Sequence, residues 1–165
     1  MSSLIVNSKI FSLGGEMWVT DESGNHRYQV KGSFLKFPKQ FRIYNMDGQE
    51  LGKVMRKVIS FLPKFYLEIG GSQVAVISQK FSLLKPKFDI EAMDVTVLGN
   101  IWEMNFEIKR KGMVIGRIDR KWFSIRNQYR IEVLSERDEL LVLGLVLAIN
   151  YVISANEANN TTTSS

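Results

Sequence analysis

Leu140-Leu141-Val142-Leu143-Gly144-Leu145-Val146-Leu147-Ala148-Ile149, continued by Asn150-Tyr151-Val152-Ile153, decides the fold. Glu136, Asp138 and Glu139 lead into it, as suits the positive end of a helix dipole. Read as a helix, the run is apolar on every side, so it is either enclosed by protein or set in a membrane. Residues 140–153 extend about 21 Å as a helix, short of the roughly 30 Å of a bilayer core, and Asn150 interrupts the run. The expectation is a buried core helix over 138–154. Such a helix needs a container with an apolar inner wall.

Working outward, the rest of the chain supplies that wall as strands with alternating side chains. In 101–109, Trp102, Met104, Phe106 and Ile108 face one way, and Glu103, Asn105, Glu107 and Lys109 the other. In 128–133, Tyr129, Ile131 and Val133 alternate with Gln128, Arg130 and Glu132. Ser23-Gly24-Asn25, Asp47-Gly48, Gly70-Gly71 and Lys111-Gly112 give the positive φ that tight hairpins need. About 12 strands are expected, at 4–11, 16–21, 26–32, 40–46, 50–59, 65–70, 73–81, 86–91, 94–99, 101–109, 113–121 and 128–134.

A short motif recurs: Lys9-Ile10-Phe11-Ser12-Leu13, Lys57-Val58-Ile59-Ser60-Phe61, Gln79-Lys80-Phe81-Ser82-Leu83 and Lys121-Trp122-Phe123-Ser124-Ile125. The last three continue to an aromatic (Phe65, Phe88, Tyr129), an aliphatic (Leu67, Ile90, Ile131) and an acid (Glu68, Glu91, Glu132). The serines lie 48, 22 and 42 residues apart, too irregular for a solenoid. The pattern fits one hairpin unit reused in a meander that closes on itself and so removes its edges. Gly52 and Gly116, each eight residues before a motif serine, are expected where the helix backbone approaches the wall. The fold class is thus all-β with one C-terminal helix: a closed barrel of about 12 strands around that helix, one domain over 1–154. Residues 155–165, low in complexity and with Glu157 as their single charge, read as a disordered polar tail.

The order and spacing of several segments resemble the LURP-one-related family, with its bacterial YxjI-like branch. They are Lys9-Ile10-Phe11-Ser12-Leu13-Gly14, Thr20-Asp21-Glu22-Ser23-Gly24-Asn25, Tyr44-Asn45-Met46-Asp47-Gly48-Gln49-Glu50-Leu51, Ser60-Phe61-Leu62-Pro63 and Lys121-Trp122-Phe123-Ser124, together with the acidic lead into the helix. The resemblance spans residues 4–153. It implies a Tubby C-terminal-like barrel, the fold of the tubby proteins, whose domains bind phosphoinositides. No residue here matches their headgroup site, so the resemblance assigns no site residue.

The 165 residues carry no cysteine and one histidine, which excludes disulfides, thiolate metal sites, Cys nucleophiles and histidine clusters. Neither a cofactor nor a metal is expected. His26 reads as a surface turn residue, and Ser12, Ser60, Ser82 and Ser124 as turn caps. The pairs Asp89/Glu91 and Glu103/Glu107 read as solvent-face charge, with nothing to separate their pKa values. Trp18, Trp102, Trp122 and the phenylalanines alternate with polar residues, as core residues do. No phosphate-cradling glycine loop, basic arm or recognition helix is present, so nucleic acid is not an expected partner.

The net charge of +5 favours anionic partners. Three basic clusters are the candidates for an anionic ligand: Lys53, Arg56 and Lys57; Lys80, Lys85 and Lys87; Arg117, Arg120 and Lys121. Because they flank repeated turns, they are expected to gather on one rim, against the alternative of an ordinary solvated face. The expected function is a non-enzymatic binding or scaffolding module, with anionic lipid at a membrane surface as the candidate ligand. A protein-interaction module without a lipid role is the alternative, followed by a small-ligand carrier or enzyme. The expected location is cytoplasmic and peripheral at the membrane, since no secretory signal is visible.

Overall fold

The computed structural model describes residues 1–7, 15–33, 40–57, 62–83, 87–120 and 128–162. Twelve strands form one antiparallel meander: β1 (Ser2–Asn7), β2 (Glu16–Asp21), β3 (His26–Ser33), β4 (Gln40–Tyr44), β5 (Glu50–Lys57), β6 (Lys64–Ile69), β7 (Ser72–Lys80), β8 (Lys87–Ala92), β9 (Val95–Asn100), β10 (Asn105–Arg110), β11 (Met113–Asp119) and β12 (Gln128–Val133). β1 pairs with β12 from Ser2↔Val133 to Asn7↔Gln128 and closes the barrel. The closure is uneven: β8 and β9 join only through Ala92↔Val95.

Alternation fixes which face is inside. In β4, Phe41 and Ile43 are buried, and in β12 so are Tyr129, Ile131 and Val133. One departure concerns the strand expected over 101–109. Residues 101–104 form a turn, and β10 begins at Asn105. The Asn100 side chain accepts the backbone N–H of Trp102 at 3.1 Å and of Glu103 at 3.2 Å, a local bond that competes with strand pairing. Glu103 therefore does not share a strand face with Glu107. Gly99 makes the turn possible: its φ is +127°, and an added Cβ would lie 2.7 Å from the Asn105 carbonyl oxygen.

After β12, a single 3-10 turn (Glu136–Asp138) leads into α1 (Glu139–Thr162), which fills the barrel axis. Residues 141–153 are all buried, and the helix lies closest to β5, β6 and β11. At 24 residues, about 36 Å, α1 outruns the expected 138–154. No glycine or proline stops it, Ala155 still packs on the core, and the Asn156 amide donates to the Val152 carbonyl at 3.0 Å. Residues 155–162 are accordingly helical, not a disordered tail. The helix is thus long and apolar enough to cross a membrane, with mean hydropathy 1.7 over its most apolar window. Length does not separate the two environments; burial does, since 78% of that window is enclosed by the barrel.

The two glycines expected to face the helix divide. A Cβ on Gly116 would lie 2.6 Å from Val142 Cγ1, so α1 does press against β11 there. A Cβ on Gly52 would instead lie 2.8 Å from the Glu68 carbonyl oxygen on β6. On that side the helix comes close at Gly144, whose added Cβ would sit 3.1 Å from Leu67.

Candidate functional site: the long-loop mouth

The meander gives the barrel two unlike ends. Tight hairpins, such as Asp47-Gly48 and Gly70-Gly71, join strands at the end where α1 enters. Longer connections follow β1, β3, β5, β7 and β11 at the end where α1 leaves, together with the short 101–104 turn after β9.

The entry end is sealed by polar contacts to the start of α1. Ser2 Oγ donates to Glu139 at 2.5 Å, the Tyr28 hydroxyl at 2.6 Å and Arg27 at 3.3 Å. Burial pushes the Glu139 carboxyl up, but these donors and the Arg27 charge outweigh it and hold it below its ordinary value. Arg110 pairs with the buried Asp138 beside it. Every one of these buried charges has a partner, as a structural seal requires.

The exit end, the long-loop mouth, carries four lysines on adjacent strands. Lys57 ends β5 directly opposite Lys64, which starts β6. Lys80 ends β7 directly opposite Lys87, which starts β8. All four are exposed and point outward by the alternation of their strands. They occupy four consecutive strands, roughly 14 Å of rim at ordinary strand spacing. Asp89 lies 3.1 Å from Lys80. Among the described residues, no acid lies within salt-bridge distance of Lys57, Lys64 or Lys87. Lys57 Nζ instead sits 5.3 Å from the Tyr66 ring centroid.

The other basic candidates part company. Lys53 lies on the outer wall, 3.0 Å from Glu68. Arg117 is held between Glu107 at 3.0 Å and Glu132 at 3.6 Å. Both are neutralised where they stand, Lys53 four residues and Arg117 two residues from the mouth ends of their strands. Arg56 shares the inward parity of Gly52 and Val54; its guanidinium lies 5.9 Å from the Phe65 ring. It sits beside the floor of the mouth, where Tyr151 meets Phe41 and Phe65 edge-on at 5.5 and 5.4 Å. Burial pushes the Tyr151 phenol up to about 12, with the Arg56 charge pulling the other way. Arg120 is exposed just past β11, three strands from β8. Lys85 and Lys121 lie outside the described residues, as do Ser12, Ser60, Ser124 and Trp122.

Sequence reasoning missed Lys64, although a signal was there. The prolines of the chain all precede lysine, and Pro63-Lys64-Phe65 and Pro86-Lys87-Phe88 open β6 and β8 alike. It also placed two aromatic residues wrongly. Trp18 is outside the core, 38% exposed and stacked on His26 at 4.5 Å. Phe81, just beyond Lys80, is 79% exposed.

No constellation for catalysis assembles among the described residues. His26 begins β3 at the entry end, whereas Ser82 follows β7 at the mouth, so one cannot serve as base for the other. Among the described residues, no group of three or more His, Asp or Glu is placed to hold a metal.

A closed twelve-stranded barrel threaded by its own C-terminal helix defines the structural class. Within that class the chain belongs to the LURP-one-related family, whose model matches residues 2–150. It is similar to a protein of Bacillus subtilis (strain 168) called "Uncharacterized protein YxjI", with 24% identity over 157 residues, covering 95% of this chain and 97% of that one. Its fold is also that of a protein from Arabidopsis thaliana known from an X-ray structure. That likeness has a TM-score of 0.63 at 16% identity, over 92% of this chain and 91% of the other. The Tubby-like barrel implied by the sequence resemblance is thus the fold observed.

Proposed function

We propose that this protein is a non-enzymatic binding module whose long-loop mouth docks on anionic phospholipid headgroups, acting in the cytoplasm and peripherally at the membrane. The observation that carries this reading is the pair of like-charge contacts, Lys57 opposite Lys64 and Lys80 opposite Lys87. Like charges directly opposite across a strand pair destabilise it. Lys57 and Lys64 have no acid within salt-bridge distance among the described residues, so theirs is a cost that an anionic surface removes; Asp89 offsets part of that between Lys80 and Lys87. Each lysine near such a surface contributes about 1 kcal/mol, screened beyond a Debye length. The helix along the barrel axis supports a surface role over a carrier role, because it takes the space in which a barrel of this kind holds a small ligand.

The test is co-sedimentation with phosphatidylserine-containing vesicles and with neutral phosphatidylcholine vesicles, at low and moderate salt. Preference for the anionic vesicles, weakening as salt rises, is expected; equal partition to both removes the proposal.

A protein-interaction role is the second reading, favoured by the β8–β9 seam. Beyond Ala92↔Val95, the facing edges of these two strands are not paired with each other, which leaves backbone groups for an added strand. Affinity capture of a stable protein partner whose binding survives loss of the four lysines favours this reading over the first.

A further inference from the structure

Phe81 and Leu83 follow β7 on either side of Ser82, 79% and 90% exposed. Neither belongs to the core cluster. They emerge from the end of the strand that Lys80 closes, and the chain returns to the sheet at Lys87, opposite Lys80. Two large apolar side chains therefore stand in water at the edge that carries the four lysines. The fold gives them no packing role, and the exposed apolar area favours transfer out of water.

We propose that Phe81 and Leu83 insert between the lipids of an anionic bilayer once the lysines have brought the mouth to its surface. This rests on the reading of the mouth as an anionic-lipid site and gives that site an apolar depth. Charge complementarity selects the occupant: an apolar pair flanked by Lys57, Lys64, Lys80 and Lys87 matches a surface with an anionic face over an apolar interior. The two groups divide the work. The lysines act at long range and lose strength with salt. The apolar pair acts only on contact, reaches the boundary between headgroups and acyl chains, and is insensitive to salt.

The chain has no cysteine, so Leu83→Cys accepts a single environment-sensitive fluorophore. On phosphatidylserine-containing vesicles its emission is expected to shift to the blue and to be quenched by acyl-chain-borne quenchers. The same label at Ser23→Cys, in the hairpin at the opposite end, is expected not to respond. The double variant Phe81→Ser/Leu83→Ser is expected to melt as the parent does and to bind these vesicles at least tenfold more weakly, with the salt dependence retained. If the parent co-sediments with anionic vesicles but the label at 83 stays in water, or the double variant binds as tightly as the parent, insertion is overturned and the headgroup reading stands. If the parent shows no preference for anionic vesicles, both are overturned.

Discussion

The Asn150 amide donates to the Tyr129 hydroxyl at 3.3 Å, between a helix and a barrel wall that bury both side chains. It is how the barrel accommodates the polar residue that breaks the apolar run of α1. Burial pushes the Tyr129 phenol up, with the Asn150 contact acting against it. Asn150→Ala removes the amide and leaves a buried hydroxyl without this partner, at an expected cost of about 1–3 kcal/mol. Asn150→Leu combined with Tyr129→Phe removes both groups and is expected to cost less than Asn150→Ala alone. Urea unfolding of the parent, the single variants and the double variant checks this. Additive losses would contradict the pairing.

Gly116 and Gly52 predict different rescues. Gly116→Ala drives a methyl group into the Val142 side chain and is expected to destabilise by about 1–3 kcal/mol. Val142→Ala in the same chain is expected to recover part of that loss. Gly52→Ala meets the Glu68 backbone carbonyl, which no side-chain change relieves, so Val142→Ala is expected to leave its cost unchanged. Thermal unfolding of the four variants decides the matter.

The seal at Glu139 predicts a pH dependence. Its folded pKa is lowered, so its contribution is present above the unfolded carboxyl value of about 4.3 and is lost as pH falls through the folded value. Glu139→Gln is therefore expected to melt below the parent at pH 7, with the gap closing below about pH 4. A gap that stays constant between pH 7 and pH 3 would show that the carboxylate charge is not what holds the seal.

At the mouth, stability and binding are predicted to move in opposite directions. Lys64→Glu turns the Lys57↔Lys64 repulsion into attraction and is expected to raise stability slightly, by about 0.5 kcal/mol or less. The same change is expected to weaken binding to anionic vesicles. Melting and co-sedimentation of one preparation test both halves together.

Much of the barrel was legible in the sequence. Alternation in β4 and β12 gave the inner face, and glycine-bearing hairpins such as Asp47-Gly48 gave the turns. The all-round apolar run around Leu143 gave the buried helix. What escaped depended on competing local chemistry or on register. Residues 101–104 alternate like a strand, but the Asn100 side chain captures the following backbone N–H groups. The helix end was missed because Asn156 is polar in composition yet bonds back to Val152. Among the basic residues, strand parity separates Arg56, inward, from Lys57, outward. Lys53 shares the parity of Lys57 but sits about 13 Å along the strand from it, beside Glu68. The juxtaposition of Lys57 with Lys64, and of Lys80 with Lys87, exists only once strand ends are paired.

The central claim is that the mouth lysines, and not the overall positive charge, bind the anionic surface. The most direct measurement compares two charge-reduced proteins on phosphatidylserine-containing vesicles at fixed salt. One carries Lys57→Gln, Lys64→Gln, Lys80→Gln and Lys87→Gln; the other carries Lys53→Gln and Arg117→Gln on the outer wall. The account predicts that the first binds weaker than the parent by roughly two to three orders of magnitude, and that the second binds close to the parent. Equal loss per charge removed in the two proteins, or no loss in the first, would contradict it.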